Sequence, residues 1–254
     1  MKVIAIVQAR MGSTRLPGKM TKEILGKPIV EYVFDRVRPS KRLTEIWLAT
    51  TTDTSDDVLA EWAKNHGVKC YRGSMNDVLD RYYQTAKLAE ADVVVRITGD
   101  CPLADCQVID CVINEYLTEY PKFDYVCNTQ PPTFPDGLDT EVVSFVALEK
   151  AWQEARLSSE REHVTPYIWK HPEIFKIKNI FNDVDLSGLR WTLDTEEDFA
   201  FILLIIERIA AESEYPYFQK ILEIIREHPE WKNINAGYKR NEGYQKSINN
   251  DPVV

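Results

Sequence analysis

Near the start of the chain, the segment Gln8-Ala9-Arg10-Met11-Gly12-Ser13-Thr14-Arg15-Leu16-Pro17-Gly18-Lys19 combines the ingredients of a polyphosphate site. Gly12 lets the backbone approach a phosphate closely, successive N–H groups can form an anion nest, and Arg10, Arg15 and Lys19 add fixed positive charge. The segment therefore reads as a triphosphate cradle, with Gln8, Ala9, Arg10, Gly12, Ser13, Arg15 and Lys19 as the expected nucleotide contacts. Two better-known phosphate motifs fail on spacing. A Walker loop needs four residues between its glycines and Ser or Thr after Lys, whereas Met20 follows Lys19 here, and the GxGxxG dinucleotide fingerprint is missing.

Two aspartates could supply the metal that such a cradle needs. Asp100, in Thr98-Gly99-Asp100-Cys101-Pro102-Leu103, follows an apolar run, and Asp194, in Trp191-Thr192-Leu193-Asp194-Thr195, follows another. Magnesium takes only one or two protein carboxylates and fills its other positions with phosphate and water, so Asp100 and Asp194 would suffice. The competing reading of each is a helix N-cap, since Asp is a favoured cap and a helical pattern follows both. On the acceptor side, Asp139 and Glu141 stand two apart in an expected strand, share a face and could hydrogen-bond hydroxyl groups. Arg161 and His163 could meet a carboxylate or phosphate.

Behind these groups lies an alternating pattern. Short apolar runs at Val3 to Val7, Ile46 to Ala49, Val68 to Tyr71 and Val93 to Ile97 read as strands buried on both faces. Helical patterns separate them at Ile29 to Val37, Asp56 to Asn65 and Asp77 to Ala89. The pattern predicts an α/β fold with a mostly parallel central sheet, helices on both faces, and ligands beyond the carboxyl ends of the strands. Past residue 120 a Pro-rich stretch precedes an expected antiparallel strand, Leu138 to Phe145, then helices over Ala147 to Ala155 and Glu160 to Lys170. Leu189 to Leu193 is expected to return as a strand ahead of a helix from Glu196 to Ala211. One domain over residues 1–234 results: a nucleotide-binding half (1–120), an acceptor portion (121–190), and a return strand with C-terminal helices (191–234). A polar tail, 235–254, is expected to drape over the surface or a partner subunit.

Composition narrows the class. The chain has 254 residues and carries 31 Lys and Arg against 40 Asp and Glu, a net charge of -9, which disfavours nucleic acid as a partner. The basic residues of the first 27 positions, Arg10, Arg15, Lys19, Lys22 and Lys27, suit a small anion instead. Five cysteines without a CxxC pair suggest neither a disulfide framework nor a zinc ribbon. The apolar stretch Phe199 to Ile206 is far below the roughly 20 residues needed to cross a bilayer, so membrane insertion is not expected and the location read is cytoplasmic.

Taken together, the motifs QARMGSTRLPGK, TGDCPL and WTLDTEEDF resemble the cytidylyltransferase family of the spore coat polysaccharide biosynthesis proteins, which is related to the CMP-Kdo and CMP-sialic acid synthetases. The resemblance continues through Gly73-Ser74, Asp77 to Tyr83, Pro135 to Val142, Glu160 to Tyr167 and Asn241 to Tyr244, and so spans nearly the whole chain. It implies a Rossmann-like nucleotide-diphospho-sugar transferase fold, magnesium, CTP as donor, a sugar-like acceptor and a homodimer, with Tyr238 and Tyr244 packing across the interface. It also implies metal binding at Asp100 and Asp194, and it adds Gly73, Arg81 and Thr98 to the nucleotide contacts. Where the Kdo enzymes carry a GDEPL-type motif this chain has GDCPL, and its acceptor segments differ, so the acceptor stays open among a sugar, a sugar acid and a sugar phosphate. The expected chemistry is in-line attack of an acceptor hydroxyl on the α-phosphorus of CTP, with Arg10, Arg15, Lys19 and Asp100 as catalytic groups. The rivals are a nucleotide-sugar-dependent glycosyltransferase and a non-catalytic nucleotide-binding protein of a polysaccharide locus.

Overall fold

Alternation within β1 (Val3–Gln8) sets the architecture: Val3, Ala5 and Val7 enter one hydrophobic layer and Ile4 and Ile6 the other, so both faces of the strand are buried. The computed structural model describes residues 1–212, 215–249 and 251–254; positions 213, 214 and 250, in the expected C-terminal helices and tail, lie outside the described residues. After β1 come a hairpin of β2 (Glu23–Ile24) and β3 (Lys27–Pro28), α1 (Ile29–Val37), β4 (Glu45–Thr51), α2 (Asp57–Asn65), β5 (Lys69–Gly73), α3 (Val78–Leu88), β6 (Val93–Thr98) and α4 (Cys106–Thr118). The second half runs β7 (Tyr125–Cys127), β8 (Glu141–Ser144), α5 (Phe145–Glu154), α6 (Ser158–His163), α7 (Pro166–Lys170), β9 (Ile177–Asn179), α8 (Glu196–Ile209), α9 (Phe218–Glu227) and α10 (Glu242–Asn249).

Seven strands form the central sheet in the order β5-β4-β1-β6-β8-β7-β9. The first four are mutually parallel, and β8 runs antiparallel to both β6 and β7. Helices cover both faces. On one side α1, α2, α4, α8 and α9 bury residues such as Phe34, Trp62, Ile109, Ile205 and Ile221; on the other α3, α5 and α7 bury Tyr82, Leu148 and Ile168. This is the expected α/β architecture, and α1 occupies the span expected of it. Successive strands move outward from β1 through β4 to β5 before β6 returns to the opposite flank of β1. The loops leaving β1 and β6 therefore diverge from a topological switch point, where a ligand crevice opens.

The second half departs from expectation in four places. The antiparallel strand is only Glu141–Ser144, because Asn128 binds the approach to it: its Nδ2 donates to Leu138 O at 2.8 Å and its Oδ1 accepts from Thr140 N at 2.8 Å. Helix α5 begins at Phe145 because the Ser144 hydroxyl caps it, accepting from Ala147 N at 3.1 Å. The stretch Glu160 to Lys170 is two helices, broken where Val164 takes φ 74° and Pro166 cannot continue the ladder. Leu189 to Leu193 is not a sheet strand. Its backbone is used by loops instead, Trp191 N donating to Asp136 O at 2.6 Å and Leu193 N to Asp100 O at 2.8 Å. The tail forms α10 and lies against its own chain, where Asp251 accepts from Ser159 N at 2.7 Å and Ser158 N donates to Pro252 O at 2.9 Å. Among the described residues no helix is long and apolar enough to cross a membrane.

Candidate active site

At the switch point the chain encloses a cavity of about 410 Å³, within the range of small-molecule sites. The loop after β1 forms one wall. Met11 N donates to Asp56 Oδ1 at 2.6 Å, which ties the loop to the end of β4, and Leu16 is fully buried beneath it. Gly18, at φ 68°, turns the chain so that Lys19 points back inward. Gly12 lines the cavity, and a side chain added there would meet no protein atom within 4 Å. Nothing in the protein itself requires glycine at that position, so the open space serves whatever occupies the cavity.

The opposite wall follows β6. Gly99 lets it close onto the loop: a Cβ there would lie 2.7 Å from Gln8 O and 2.9 Å from the Ala9 Cβ. Asp100 is thereby brought beside Lys19. The third wall is the segment before α8, and here Gly137, at φ 110°, allows residues 136–138 to cross directly over Trp191, whose backbone carbon would be 2.7 Å from an added Cβ.

Asp100 and Asp194 converge on one cation. Lys19 Nζ lies 3.3 Å from Asp100 Oδ2 and 2.9 Å from Asp194 Oδ1, and it also donates to Leu193 O at 3.0 Å. Burial works against the Lys19 charge, yet the two carboxylates hold its pKa above the ordinary value. Asp100 shows the reciprocal effect: burial opposes its ionisation, and Lys19 outweighs it to lower the pKa. Neither aspartate is a helix cap. Asp105 caps α4 by accepting from Gln107 N and Val108 N, while Thr195 caps α8 in a reciprocal box with Asp198. Among the described residues no group of three or more His, Cys, Asp and Glu is placed to hold a metal. A two-carboxylate site completed by phosphate is the arrangement compatible with that donor set.

The cations differ in how they are occupied. Arg15 Nη2 donates to Asp194 Oδ2 at 2.7 Å, and its Nη1 reaches Glu242 Oε2 at 3.5 Å. Arg10 lines the cavity, exposed, and has no ion-pair partner among the described residues. Arg81 also borders the cavity, buried, with Nη1 donating to Ser74 O and Met75 O; burial and the nearby Arg10 lower its pKa. Gln8, Ala9, Ser13 and Thr98 line the same space. Gly73 does not: it packs against Tyr71 and Arg81 at the end of β5.

The expected acceptor residues separate. Asp139 and His163 line the cavity, but Glu141 and Arg161 do not. Glu141 is buried beneath the sheet, where Arg96, Tyr125 and Thr165 all donate to it. Asp139 precedes the strand, lines the cavity and pairs with Arg240. Arg161 is committed to Asp77, with its Nε 3.0 Å from Oδ2, and to Trp152 O at 2.6 Å. His163 is pushed down to about 4 by burial, against the pull of Glu162, so near neutral pH it is uncharged and cannot act as a cation toward an anion. Its ring contacts Ser247 Oγ at 3.0 Å and the edge of Tyr244, holding the tail in place.

Arg190 was not singled out from the sequence, and Tyr238 and Tyr244, expected at a subunit interface, contact residues of their own chain. Arg190 joins three carboxylates: Asp198 at 2.8 Å, Asp136 at 3.2 Å and Asp194 at 3.6 Å. The tail adds Lys239, Asn241, Glu242 and Tyr244 to the cavity wall, and Tyr238 donates to Glu197 at 2.9 Å. The clue available for Asp198 was its place three residues after Thr195 at a helix start, a capping-box spacing.

The pattern of the cytidylyltransferase family matches residues 4–242. An uncharacterised protein of Methanocaldococcus jannaschii is 38% identical over 94% of this chain and 97% of its own. The spore coat polysaccharide biosynthesis protein SpsF of Bacillus subtilis is 30% identical over 81% of this chain and 87% of its own. Among solved structures, a cytidylyltransferase from Leptospira borgpetersenii superposes with a TM-score of 0.86 at 36% identity, covering 91% of this chain and 96% of that one.

Proposed function

The chain belongs to the cytidylyltransferase family, and from that premise we propose that it transfers CMP from CTP to a hydroxyl of a sugar-like acceptor, releasing pyrophosphate, with magnesium held by Asp100 and Asp194. The observation that carries this reading is that Lys19 is shared by those two carboxylates, with Arg15 also on Asp194, under a loop that presents Arg10 to the cavity. Two carboxylates that meet on one ammonium are close enough together to share a divalent ion once the cations beside them turn to phosphate. When bound, magnesium would neutralise triphosphate charge and polarise the α-phosphate.

The protein's own residues do the rest by exchanging partners. In the structure Lys19 and Arg15 are paired with Asp100, Asp194 and Glu242. A bound triphosphate would offer Lys19 and Arg15 phosphate oxygens in place of these carboxylates, which would leave Asp100 and Asp194 free to hold magnesium. Arg10, unpaired among the described residues, meets the outer phosphates first. Gly12 lets the loop backbone close on them, and Gly99 keeps Asp100 within reach. Catalysis in this arrangement comes from positioning and charge placement, with no covalent enzyme intermediate. The glycosyltransferase alternative needs to bind only a diphosphate and gives way to the family match.

Similarity to a spore coat polysaccharide biosynthesis protein supports a role in surface glycan assembly, in the cytoplasm where CTP is made. Pyrophosphate release, measured with each of the four nucleoside triphosphates against sugar acids, sugar phosphates and polyol phosphates, tests the reading. CTP is expected to be the donor, and with magnesium it raises the melting temperature more than ATP or GTP does. Equal shifts from all the nucleotides would count against it.

A further inference from the structure

One carboxylate that lines the cavity keeps an oxygen without a hydrogen-bond partner among the described residues. Asp139 keeps 24% of its side chain exposed and lines the cavity. Arg240 donates to its Oδ1, and Oδ2 has no hydrogen-bond partner among the described residues. The neighbouring acids are all engaged: Glu141 by Arg96, Tyr125 and Thr165, Asp136 by Arg190, and Asp100 and Asp194 by Lys19. Arg240 is itself fixed, since its Nη1 donates to Phe134 O at 2.9 Å, and it belongs to the C-terminal segment that Tyr238 and Asp251 fasten to the body of the protein.

Resting on the transfer reading above, we propose that Asp139 is the general base that takes the proton of the attacking acceptor hydroxyl, and that Arg240 is the positioning residue that aims it. As the acceptor oxygen bonds to the α-phosphorus, its proton passes to Asp139 Oδ2. The bond from that phosphorus to the pyrophosphate oxygen breaks with its electron pair leaving on pyrophosphate, and the proton is then released to water. Burial pushes the Asp139 carboxyl up to about 7, with Arg240 pulling it down, Asp136 and Glu141 raising it, and Arg96 lowering it. Of the thiols, Cys101 faces it; that thiol is held far above its usual range by burial and stays neutral. A carboxylate titrating near neutrality is suited to accept a proton at physiological pH. The assignment also gives the tail a purpose, because the group that aims the base is supplied by residues beyond α9.

The test uses the full-length protein with magnesium, CTP and 3-deoxy-manno-octulosonate as the sugar-acid probe. Asp139→Asn is expected to lower kcat by about 100-fold to 10,000-fold, the span of general-base catalysis, while CTP still raises its melting temperature as in the wild type. The wild-type rate should rise through an inflection near pH 7 that the Asn variant lacks. Arg240→Gln should move that inflection to higher pH, and Asp139→Glu should recover part of the rate; a merely structural role would leave the profile unmoved. Independently of any acceptor, carbon NMR of protein labelled at the aspartate carboxyls should show one resonance, missing from Asp139→Asn, that titrates near 7. Titration in the ordinary carboxylate range, about 4, or an Asn variant with wild-type kcat and pH profile, overturns the proposal. A wild type that gains no melting shift from CTP would overturn the transfer reading itself, and the base with it.

Discussion

Replacing Arg190 by Met removes one guanidinium from among three carboxylates and keeps most of the side-chain volume. The main loss falls on Asp198, which has no exposed surface and receives Arg190 Nε and Nη2 at 2.8 Å each. Breaking a buried pair by removing one partner costs about 3–5 kcal/mol. Asp198 would still accept from Asn235 Nδ2 at 2.9 Å, Asp194 N at 2.9 Å and Thr195 N at 3.1 Å, which places the expected loss near the lower end. At roughly 2–4 °C per kcal/mol for a chain of this size, Tm should fall by about 6–12 °C. Burial raises the Asp198 pKa, but Arg190 and Asn235 more than offset it and hold the pKa below the ordinary value. A depressed carboxylate stabilises the fold above its unfolded pKa and loses that contribution as pH falls through the folded one. The deficit of Arg190→Met should therefore be complete at pH 7 and shrink only below the ordinary aspartate value, so that it is smaller at about pH 2. Urea unfolding of the wild type, Arg190→Met, Asp198→Asn and the double variant at both pH values measures the coupling. A loss below about 1 kcal/mol, the level of an exposed pair, or an equal loss at both pH values would refute this account of Arg190.

Three further outcomes are expected, the first two from the geometry of the site and the last from the family resemblance. Gly137→Ala should cost more than about 1 kcal/mol in thermal unfolding, since its φ is 110° and Trp191 blocks the new Cβ, whereas Gly12→Ala should leave stability near that of the wild type and weaken CTP binding. Arg15→Ala and Lys19→Ala should each weaken CTP more than CMP in calorimetric titrations, because their partners in the complex are the outer phosphates; proportional losses for both nucleotides would undo the cradle assignment. Light scattering should give a homodimer, and a monomer at working concentration would remove that part of the reading.

The parallel half of the fold was legible because its strands are β-branched runs buried on both faces, as in Val3–Gln8 and Val93–Thr98, and because the helices between them carry one apolar stripe each. The second half was legible in part: the antiparallel strand and the helix from Glu196 were expected, whereas β7 and β9 have three residues each and carry no period. Leu189 to Leu193 shows the limit most plainly: its apolar residues look like a strand, yet its backbone hydrogen bonds go to residues about 50 and 90 positions away. At the site, the loop after β1 could be picked out from its own residues, because its glycines and the cations that line the cavity are close together in sequence. The burial of Glu141 could not, because Tyr125 and Thr165, which fill its environment, arrive from separate elements. Arg190 and Arg240 were invisible for the same reason, each being an ordinary charged residue until tertiary structure brings carboxylates to it.

Calorimetric titration of CTP with and without magnesium, on the wild type, Asp100→Asn and Asp194→Asn, tests the central claim most directly. Asn preserves the shape of each side chain, neither position caps a helix, and Lys19 keeps one carboxylate partner in either variant, so all three proteins should fold. Magnesium should tighten CTP binding to the wild type by roughly tenfold or more, about 1.4 kcal/mol, and either substitution should abolish that increment. An Asn variant at either position that keeps the full magnesium-dependent gain in affinity would contradict the assignment of Asp100 and Asp194 to one metal.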